Sequence, residues 1–200
     1  MEMTMLKTCL ISAAAAVVVL AGCANDSGTS GRPGENGSAS ASASPGASAF
    51  NDTDIMFVQT MLPHSDQAVS MADLLLAKRG VHPEVAALAR QIRGAQQAEI
   101  DAMNGWFEAM GRPQVEEGPH HGGLEGMLDE SEMQQLDLAN ARAGQRMFLE
   151  SMIKHHAGAI ELANKEIGGG QHPGAVDLAK NIATTQQQEI DVMTDLLSRI

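Results

Sequence analysis

An internal repeat is the feature that most constrains how this 200-residue chain can fold. Its first part recurs with an offset of 91 residues, so that Phe57, Met61, His64, Ala68 and Ala72 return as Phe148, Met152, His155, Ala159 and Ala163. Its second part recurs with an offset of 90 residues, from His82-Pro83 to Met103 and again from His172-Pro173 to Met193. Because a repeat of this length corresponds to one supersecondary unit, the sequence predicts two similar helical hairpins.

Start and stop signals predict where the helices of the first hairpin lie. Asn51 or Asp52 can cap a helix over about 53–79, and Gly80 stops it. Pro83 favours the first position of a second helix that runs to about Met110.

The second hairpin carries equivalent signals after a Gly/Pro-rich loop at 112–126. Asp129 followed by Glu132 is a variant capping box that opens a third helical stretch, expected to break near Gly144 and to end at Gly168-Gly169-Gly170. Pro173 then opens a helix that runs to the C-terminus. Strand patterns hardly occur, so we expect an all-α fold, a four-helix bundle of two antiparallel hairpins.

The first fifty residues are typical of an exported, tethered protein. Lys7 precedes a short apolar run, which indicates a signal peptide over 1–22. The run ends in Leu20-Ala21-Gly22-Cys23, which resembles a bacterial lipobox and implies lipidation of Cys23. An ordinary signal peptide with a chance cysteine is the alternative. Residues 23–50 have a tether composition, and 51–200 form the duplicated helical domain.

Composition narrows the function classes. The net charge of −12 argues against nucleic acid as a partner, because no basic patch is available to neutralise phosphate. Both cysteines, Cys9 and Cys23, precede the predicted domain, so thiol ligation of a metal is excluded there. Methionine is abundant, at 13 residues.

Each hairpin places a His and a Glu on an otherwise apolar helical stripe. His64 and Glu99 lie at nearly equal distances from the first His-Pro turn, and His155 and Glu189 lie at equal distances from the second. Equal distance from the turn of an antiparallel hairpin means equal height along its axis. Methionines lie about one turn away from these residues: Met61, Met103, Met152 and Met193.

Ligand chemistry favours copper for this layer. Di-iron bundles use Glu-x-x-His, whereas both copies here have Met-x-x-His, and thioether with imidazole favours copper, particularly Cu(I). Glu99 and Glu189 could ligate or could orient the imidazoles. The alternative is metal-free, with His–Glu pairs satisfying one another and methionines filling the core.

The paired motifs resemble family 305 of the domains of unknown function. That family is similar to ferritin-like bundles and includes CopM-like copper-binding secreted proteins. The resemblance implies a ferritin-like bundle over about 52–198 and carries ligand candidacy onto one set of residues: Met61, His64, Met71, Met152, His155 and His156, with Met103 and Met193. Ser65 and Leu162 depart from the duplicated pattern, since they stand where the other copy has His156 and Met71.

Three functions therefore stay open. The first is an extracytoplasmic, membrane-anchored bacterial lipoprotein that binds copper for buffering or resistance, and is not an enzyme. The second is a metal-free surface interaction bundle, and the third is a ferritin-like metal oxidase, which would need more inward carboxylates. His120-His121 in the middle loop form a possible surface metal site or a solvated loop.

Overall fold

The computed structural model describes residues 50–110 and 125–200, and all of its regular secondary structure there is α-helical. The five helices are α1 (Asp52–Leu76), α2 (Pro83–Ala109), α3 (Glu130–Leu138), α4 (Ala141–Gly169) and α5 (Pro173–Arg199). The expected all-α class is thus confirmed. Cys23, the signal and tether segments up to residue 49, and His120-His121 lie outside the described residues. Within the two described ranges, every helix is too short or too polar to cross a membrane.

Side-chain caps set the helix starts. Asn51 and Asp54 form a reciprocal capping box on α1, and Asp129 and Glu132 form one on α3. Proline occupies the first turn of both α2 and α5, as the His-Pro pairs predicted.

Three predicted boundaries differ from the structure. The break lies at Ala139 and Asn140, not at Gly144, because Ala139 is extended and the Asn140 side chain accepts the N–H of Ala143 to cap α4. The end of α4 also lies later, since Gly168 and Gly169 stay helical and only Gly170 leaves the helix. In the first hairpin α1 ends at Leu76, and Gly80 occupies the following turn with φ of 89°.

Two apolar clusters show how the helices run. One cluster joins the C-terminal half of α1 and the N-terminal half of α2 to the N-terminal half of α4 and the C-terminal end of α5, with Leu128 and Leu136 added. The second joins the opposite halves of the same four helices. Hence α1 is antiparallel to α2, α4 is antiparallel to α5, and α1 crosses α4 in antiparallel sense. The two His-Pro turns therefore lie at opposite ends of the domain.

Helices α1 and α4 pack against each other more extensively than α2 and α5 do. Polar side chains buried at mid-length of these helices belong to neither apolar cluster: His64, Ser65, Gln96, His155, His156, Gln186 and Glu189. This polar layer lies between the clusters and is the most unusual part of the core, because buried polar groups are costly unless they are paired or ligated.

Candidate metal centre

His64 and His155, the equivalent histidines of the two repeats, meet where α1 crosses α4. Their ring centroids are 3.8 Å apart, with 43° between the ring planes. Only 1% of His64 and none of His155 is exposed. The sequence predicted that each histidine would share a layer with its own glutamate, but the contact between the two histidines comes from the way the hairpins pack on each other.

The two rings differ in their hydrogen bonds. His64 Nε2 donates over 3.4 Å to the backbone carbonyl of Glu125, in the segment that follows the middle loop. Both ring nitrogens of His155 are buried and neither makes a hydrogen bond of good geometry, although a weaker interaction with the His64 backbone opposes the effect of burial on its pKa. Leaving a buried polar group without a partner costs about 1–3 kcal/mol. The His155 ring and the Gln186 side-chain amide are thus the least satisfied polar groups of the layer.

Both imidazoles are neutral at physiological pH. Burial lowers the pKa of His64 to about 4 and outweighs the hydrogen bond to Glu125. Burial, together with the neighbouring rings of His64 and His156, lowers the pKa of His155 well below its usual range. A neutral imidazole keeps a lone pair on one nitrogen, which is the form that ligates metals.

The residue after each of these histidines contacts the glutamate of its own hairpin. In the first copy the Ser65 hydroxyl donates to Glu99 Oε2 over 3.4 Å. In the second copy His156 Nε2 lies 2.9 Å from Glu189 Oε2. Burial raises the pKa of Glu99 to about 7, with the hydrogen bond from Ser65 opposing the shift and the charge of Glu189 adding to it. The copies therefore share a geometry but differ by one imidazole.

The candidate methionines are fully buried and flank the histidine layer on both sides. Met61 and Met103 pack in the cluster that contains Phe57 and Phe107. Met71, Met152 and Met193 pack in the cluster that contains Phe148. Thioethers thus lie in the core above and below the imidazoles, where they fill space. Met61 and Met152 are each one helical turn from a histidine of the layer.

Sequence reasoning missed two glutamines of the polar layer. Gln96 and Gln186 are 2% and 1% exposed, and the Oε1 atoms of both make no hydrogen bond. A helical stripe drawn through Glu99 and Glu189 would include their neighbours Ala95 and Thr185, yet those residues are exposed. The recurring Gln-Gln-x-Glu motif was the signal, because an identical polar pair in two hairpins is unexpected on a purely apolar face.

The segment from Glu125 to Asp129 covers the layer. Gln67 of α1 holds it through two hydrogen bonds, from Nε2 to the carbonyl of Leu128 (2.9 Å) and from the Leu128 N–H to Oε1 (2.8 Å). Gly158 of α4 lets the segment approach, since a Cβ atom there would collide with the Glu125 carbonyl. On its outer side the segment lines a cavity of about 400 Å³ with Ser151, Lys154 and Glu161.

The layer offers soft and borderline donors rather than a carboxylate cage. Among residues 50–110 and 125–200, no three His, Cys, Asp or Glu side chains converge to hold one metal ion. What converges is the His64–His155 pair, with buried thioethers nearby. Such a donor set fits a soft ion that accepts few ligands, such as Cu(I), better than iron or zinc.

The model of the family described as a domain of unknown function (DUF305) matches residues 54–197. A DUF305 fragment from Deinococcus radiodurans is 30% identical with a TM-score of 0.69, and the alignment covers 76% of this chain and 99% of the fragment. A DUF305 protein from Streptomyces coelicolor, named as a candidate secreted protein, is 28% identical with a TM-score of 0.68, covering 74% and 91%.

CopM in its Cu(I)-bound form is also similar. It is 29% identical with a TM-score of 0.62, and the alignment covers 74% of this chain and 98% of CopM. CopM also matches in its Cu(II)-bound and Ag-bound forms. No curated protein matches the chain.

Proposed function

The chain belongs to the DUF305 family, and from this premise we propose that it is an extracytoplasmic copper-binding protein that buffers copper or protects against it. The proposed donors are His64 and His155, with His156 and the thioethers of Met61 and Met152 in support. Cu(I) is the favoured state, because imidazole and thioether are the donors that soft ions prefer.

The His155 ring carries this proposal. It is fully buried, neutral, in contact with the ring of His64, and without a hydrogen bond of good geometry at either nitrogen. A purely structural histidine normally hydrogen-bonds through at least one nitrogen when it is buried. A bound metal ion would satisfy one nitrogen and so offset the cost of burial.

The metal-bound structures of CopM support the same metal chemistry. CopM has been solved with Cu(I), Cu(II) and Ag, and it covers almost the whole described domain. Silver(I) resembles copper(I) in its preference for soft donors. We therefore transfer the metal class from CopM, while the donor residues are proposed from this chain alone.

The metal-free interaction bundle is the competing function, and one observation favours it. His156 Nε2 and Glu189 Oε2 form a close pair that needs no metal. If all buried histidines behaved in this way, the layer would be purely structural. His155 separates the two hypotheses, because it has no such partner.

Titration of Cu(I) against a competing chelator tests the proposal on the full chain. All proteins carry Cys9→Ser and Cys23→Ser so that thiols do not bind the metal. The double variant His64→Gln and His155→Gln should lose at least one equivalent of tightly bound copper while remaining helical. Saturating Cu(I) should also raise the melting temperature of the parent protein, because ligand binding stabilises the folded state by linkage.

The His-Pro turns offer a matched control. His82 and His172 are repeat-equivalent to each other, like His64 and His155, but they lie at the ends of the domain. The double variant His82→Gln and His172→Gln should bind copper as the parent does. An unchanged copper titration in a folded His64/His155 double variant would exclude this site and leave the interaction bundle as the better proposal.

Export and anchoring complete the proposal. A signal peptide over 1–22, lipidation of Cys23 and a tether over 23–50 would hold the domain of 51–200 at the outer face of a bacterial membrane. The lipobox-like Leu20-Ala21-Gly22-Cys23 and the secreted description of the Streptomyces coelicolor relative support this location.

We also propose that the four long helices form a ferritin-like four-helix bundle. Supporting this, α2 and α4 run in the same direction, with α2 ending in one apolar cluster and α4 beginning in the other. Parallel second and third long helices are typical of ferritin-like folds, which have one long crossover connection. The oxidase activity of some ferritin-like proteins is not proposed, since the buried layer of this chain is mainly imidazole, amide and thioether.

A further inference from the structure

Glu189 lies between two side chains from different hairpins, and both of its carboxylate oxygens are used. Oε1 accepts a hydrogen bond from Nε2 of Gln91 on α2, at 3.1 Å. Oε2 lies 2.9 Å from Nε2 of His156 on α4. Glu189 itself belongs to α5 and is 7% exposed. The carboxylate is thus fixed from two sides.

For a neutral ring, the contact with an ionised Glu189 selects one tautomer of His156. An ionised carboxylate only accepts hydrogen bonds, so the imidazole nitrogen facing Glu189 must carry the proton. In the neutral ring the other nitrogen, Nδ1, then holds the lone pair. His156 Nδ1 is fully buried and makes no hydrogen bond. Metal-binding histidines show the same pattern, in which one ring N–H donates to a carboxylate and the other nitrogen ligates.

The first repeat lacks this donor. Ser65 stands at the position of His156 and reaches Glu99, so it provides a hydroxyl where the second repeat provides an imidazole. Asn181 stands at the position of Gln91. The ring of His156 lies 6.3 Å from that of His155, so a further imidazole adjoins the His64–His155 pair. Met152, one turn earlier on α4, is the nearest buried thioether along the helix.

Building on the copper-binding function proposed above, we propose that Glu189 and Gln91 are positioning residues that present His156 as a metal ligand through Nδ1. Glu189 is then not itself a ligand. Gln91 acts through Glu189 and links the first hairpin to the metal layer of the second. Only the second repeat has a histidine held by a glutamate and a glutamine in this way, so the proposed metal centre is asymmetric despite the duplication.

Nitrogen-15 NMR of the histidine rings tests the tautomer directly. The full chain with Cys9→Ser and Cys23→Ser is titrated with Ag(I), a redox-inert probe for soft-metal sites. The variant His156→Ser, which copies the residue of the first repeat, identifies the resonances of His156. We expect Nε2–H in the metal-free protein, and a large shift of Nδ1 with Nε2 still protonated once Ag(I) is bound.

Two results would overturn the inference. Loss of the Nε2 proton on Ag(I) binding would show that His156 ligates through the nitrogen that faces Glu189. No response of His156, with His64 and His155 responding, would remove His156 from the site and leave the proposed function intact. If none of the three rings responded, the proposed function itself would fail.

Affinity measurements test Gln91 and Glu189. Residues that hydrogen-bond the ring of a metal-binding histidine typically contribute about 10–100-fold to metal affinity, so Glu189→Gln and Gln91→Leu should each weaken Ag(I) binding by roughly tenfold or more. Gln91 is itself exposed, so the metal-free Gln91→Leu protein should stay folded, with its melting temperature lowered only modestly by the loss of the hydrogen bond to Glu189. Gln97→Leu is the matched control, because Gln97 is an exposed glutamine of the same helix that bonds Asp101. Equal affinities for Gln91→Leu and Gln97→Leu would refute the role of Gln91.

Discussion

Asp54 and Gln145 are equivalent residues of the two repeats, and each accepts the backbone N–H of the histidine that opens the other hairpin's second helix. Asp54 Oδ1 accepts from the His172 N–H, and Gln145 Oε1 accepts from the His82 N–H, both at 2.9 Å. The start of α1 is thereby attached to the α4–α5 turn, and the start of α4 to the α1–α2 turn. These reciprocal contacts fix both ends of the α1–α4 crossing, at the centre of which His64 meets His155.

The Gln145 contact should be measurable as stability. Gln145→Leu removes the acceptor and leaves the His82 N–H without its partner, so the free energy of unfolding should fall by about 1–2 kcal/mol. Urea unfolding followed by circular dichroism measures this change. Gln97→Leu, which removes only an exposed hydrogen bond to Asp101, should change it by less than about 0.5 kcal/mol. A stability loss no larger than the control's would mean that the contact is energetically neutral.

At the other end of the α1–α4 crossing, next to Asp54, the buried Glu166 should make the free energy of unfolding depend on pH. Burial raises the pKa of Glu166 to about 8, and the neighbouring Asp54 adds to the shift. No N–H donor reaches either carboxyl oxygen of Glu166, and its protonated carboxyl group is stabilised by a hydrogen bond with Asp54. From about pH 4.5 to 8 the folded state therefore keeps a proton that the unfolded chain releases, and this group lowers stability as pH rises.

Glu166→Gln removes that proton equilibrium while conserving shape. The variant should gain stability relative to wild type as pH is raised from 5 to 8, and the two proteins should differ least at the acidic end. Unfolding free energies at each pH give the difference, in which the unchanged groups largely cancel. A difference that stays constant with pH would show that Glu166 ionises normally in the folded protein.

The duplication made much of this fold predictable. Helix starts at Asn51, Pro83, Asp129 and Pro173 followed from capping residues and proline, because these act locally. The break at Asn140 was misplaced at Gly144, since glycine inside a helix is tolerated and a capping Asn is the stronger signal. Local rules therefore located the helices better than their interruptions.

The contacts between the hairpins were not predictable from the sequence alone. Periodicity placed His64 and His155 on inward faces, but only the antiparallel crossing of α1 and α4 brings their rings together. Gln91 is exposed on its own helix, so no stripe argument could select it as a partner of Glu189. Such contacts depend on how the helices cross, which is set by packing over the whole length.

Two glycines of the long helices should respond to alanine in opposite directions. A Cβ on Gly158 would collide with the Glu125 carbonyl, so Gly158→Ala should displace the covering segment and cost about 1–3 kcal/mol. Gly94 has open space around it, and Gly94→Ala should stabilise α2 by about 0.5–1 kcal/mol. Thermal unfolding of both variants measures the two stability changes. If Gly158→Ala stabilised the protein, the covering segment from Glu125 to Asp129 would not pack on α4 in solution.

The proposed anchor predicts a change of location without a change of fold. Cys23→Ala should abolish labelling of the protein by radioactive palmitate and move it from the membrane fraction to the soluble extracytoplasmic fraction. Two acyl chains give stable attachment, whereas one would be marginal. Cys9→Ala is the control, because Cys9 lies within the predicted signal peptide, and it should leave both results unchanged. A Cys23→Ala protein that still fractionates with membranes would place the anchor elsewhere.

Burial of the imidazoles should lower the pH at which the protein releases copper. An exposed histidine site loses its metal near pH 6.5, where the ring takes up a proton. Because the pKa of folded His64 is lowered to about 4 and that of His155 well below its usual range, neither ring competes strongly for protons at pH 5. The protein should therefore retain Cu(I) at pH 5 and release it only as pH approaches 4.

The same pKa shifts also make the stability of the metal-free protein depend on pH. Between about pH 6.5 and 4 the unfolded chain binds protons at His64 and His155 that the folded state refuses, so stability should fall as pH falls through this window. The copper content after dialysis at each pH is compared with the stability measured by urea unfolding at the same pH. This comparison distinguishes copper release by protonation of the imidazoles from copper release by unfolding. Copper loss near pH 6.5 from a folded protein would mean that the metal is held by exposed histidines instead of the buried pair.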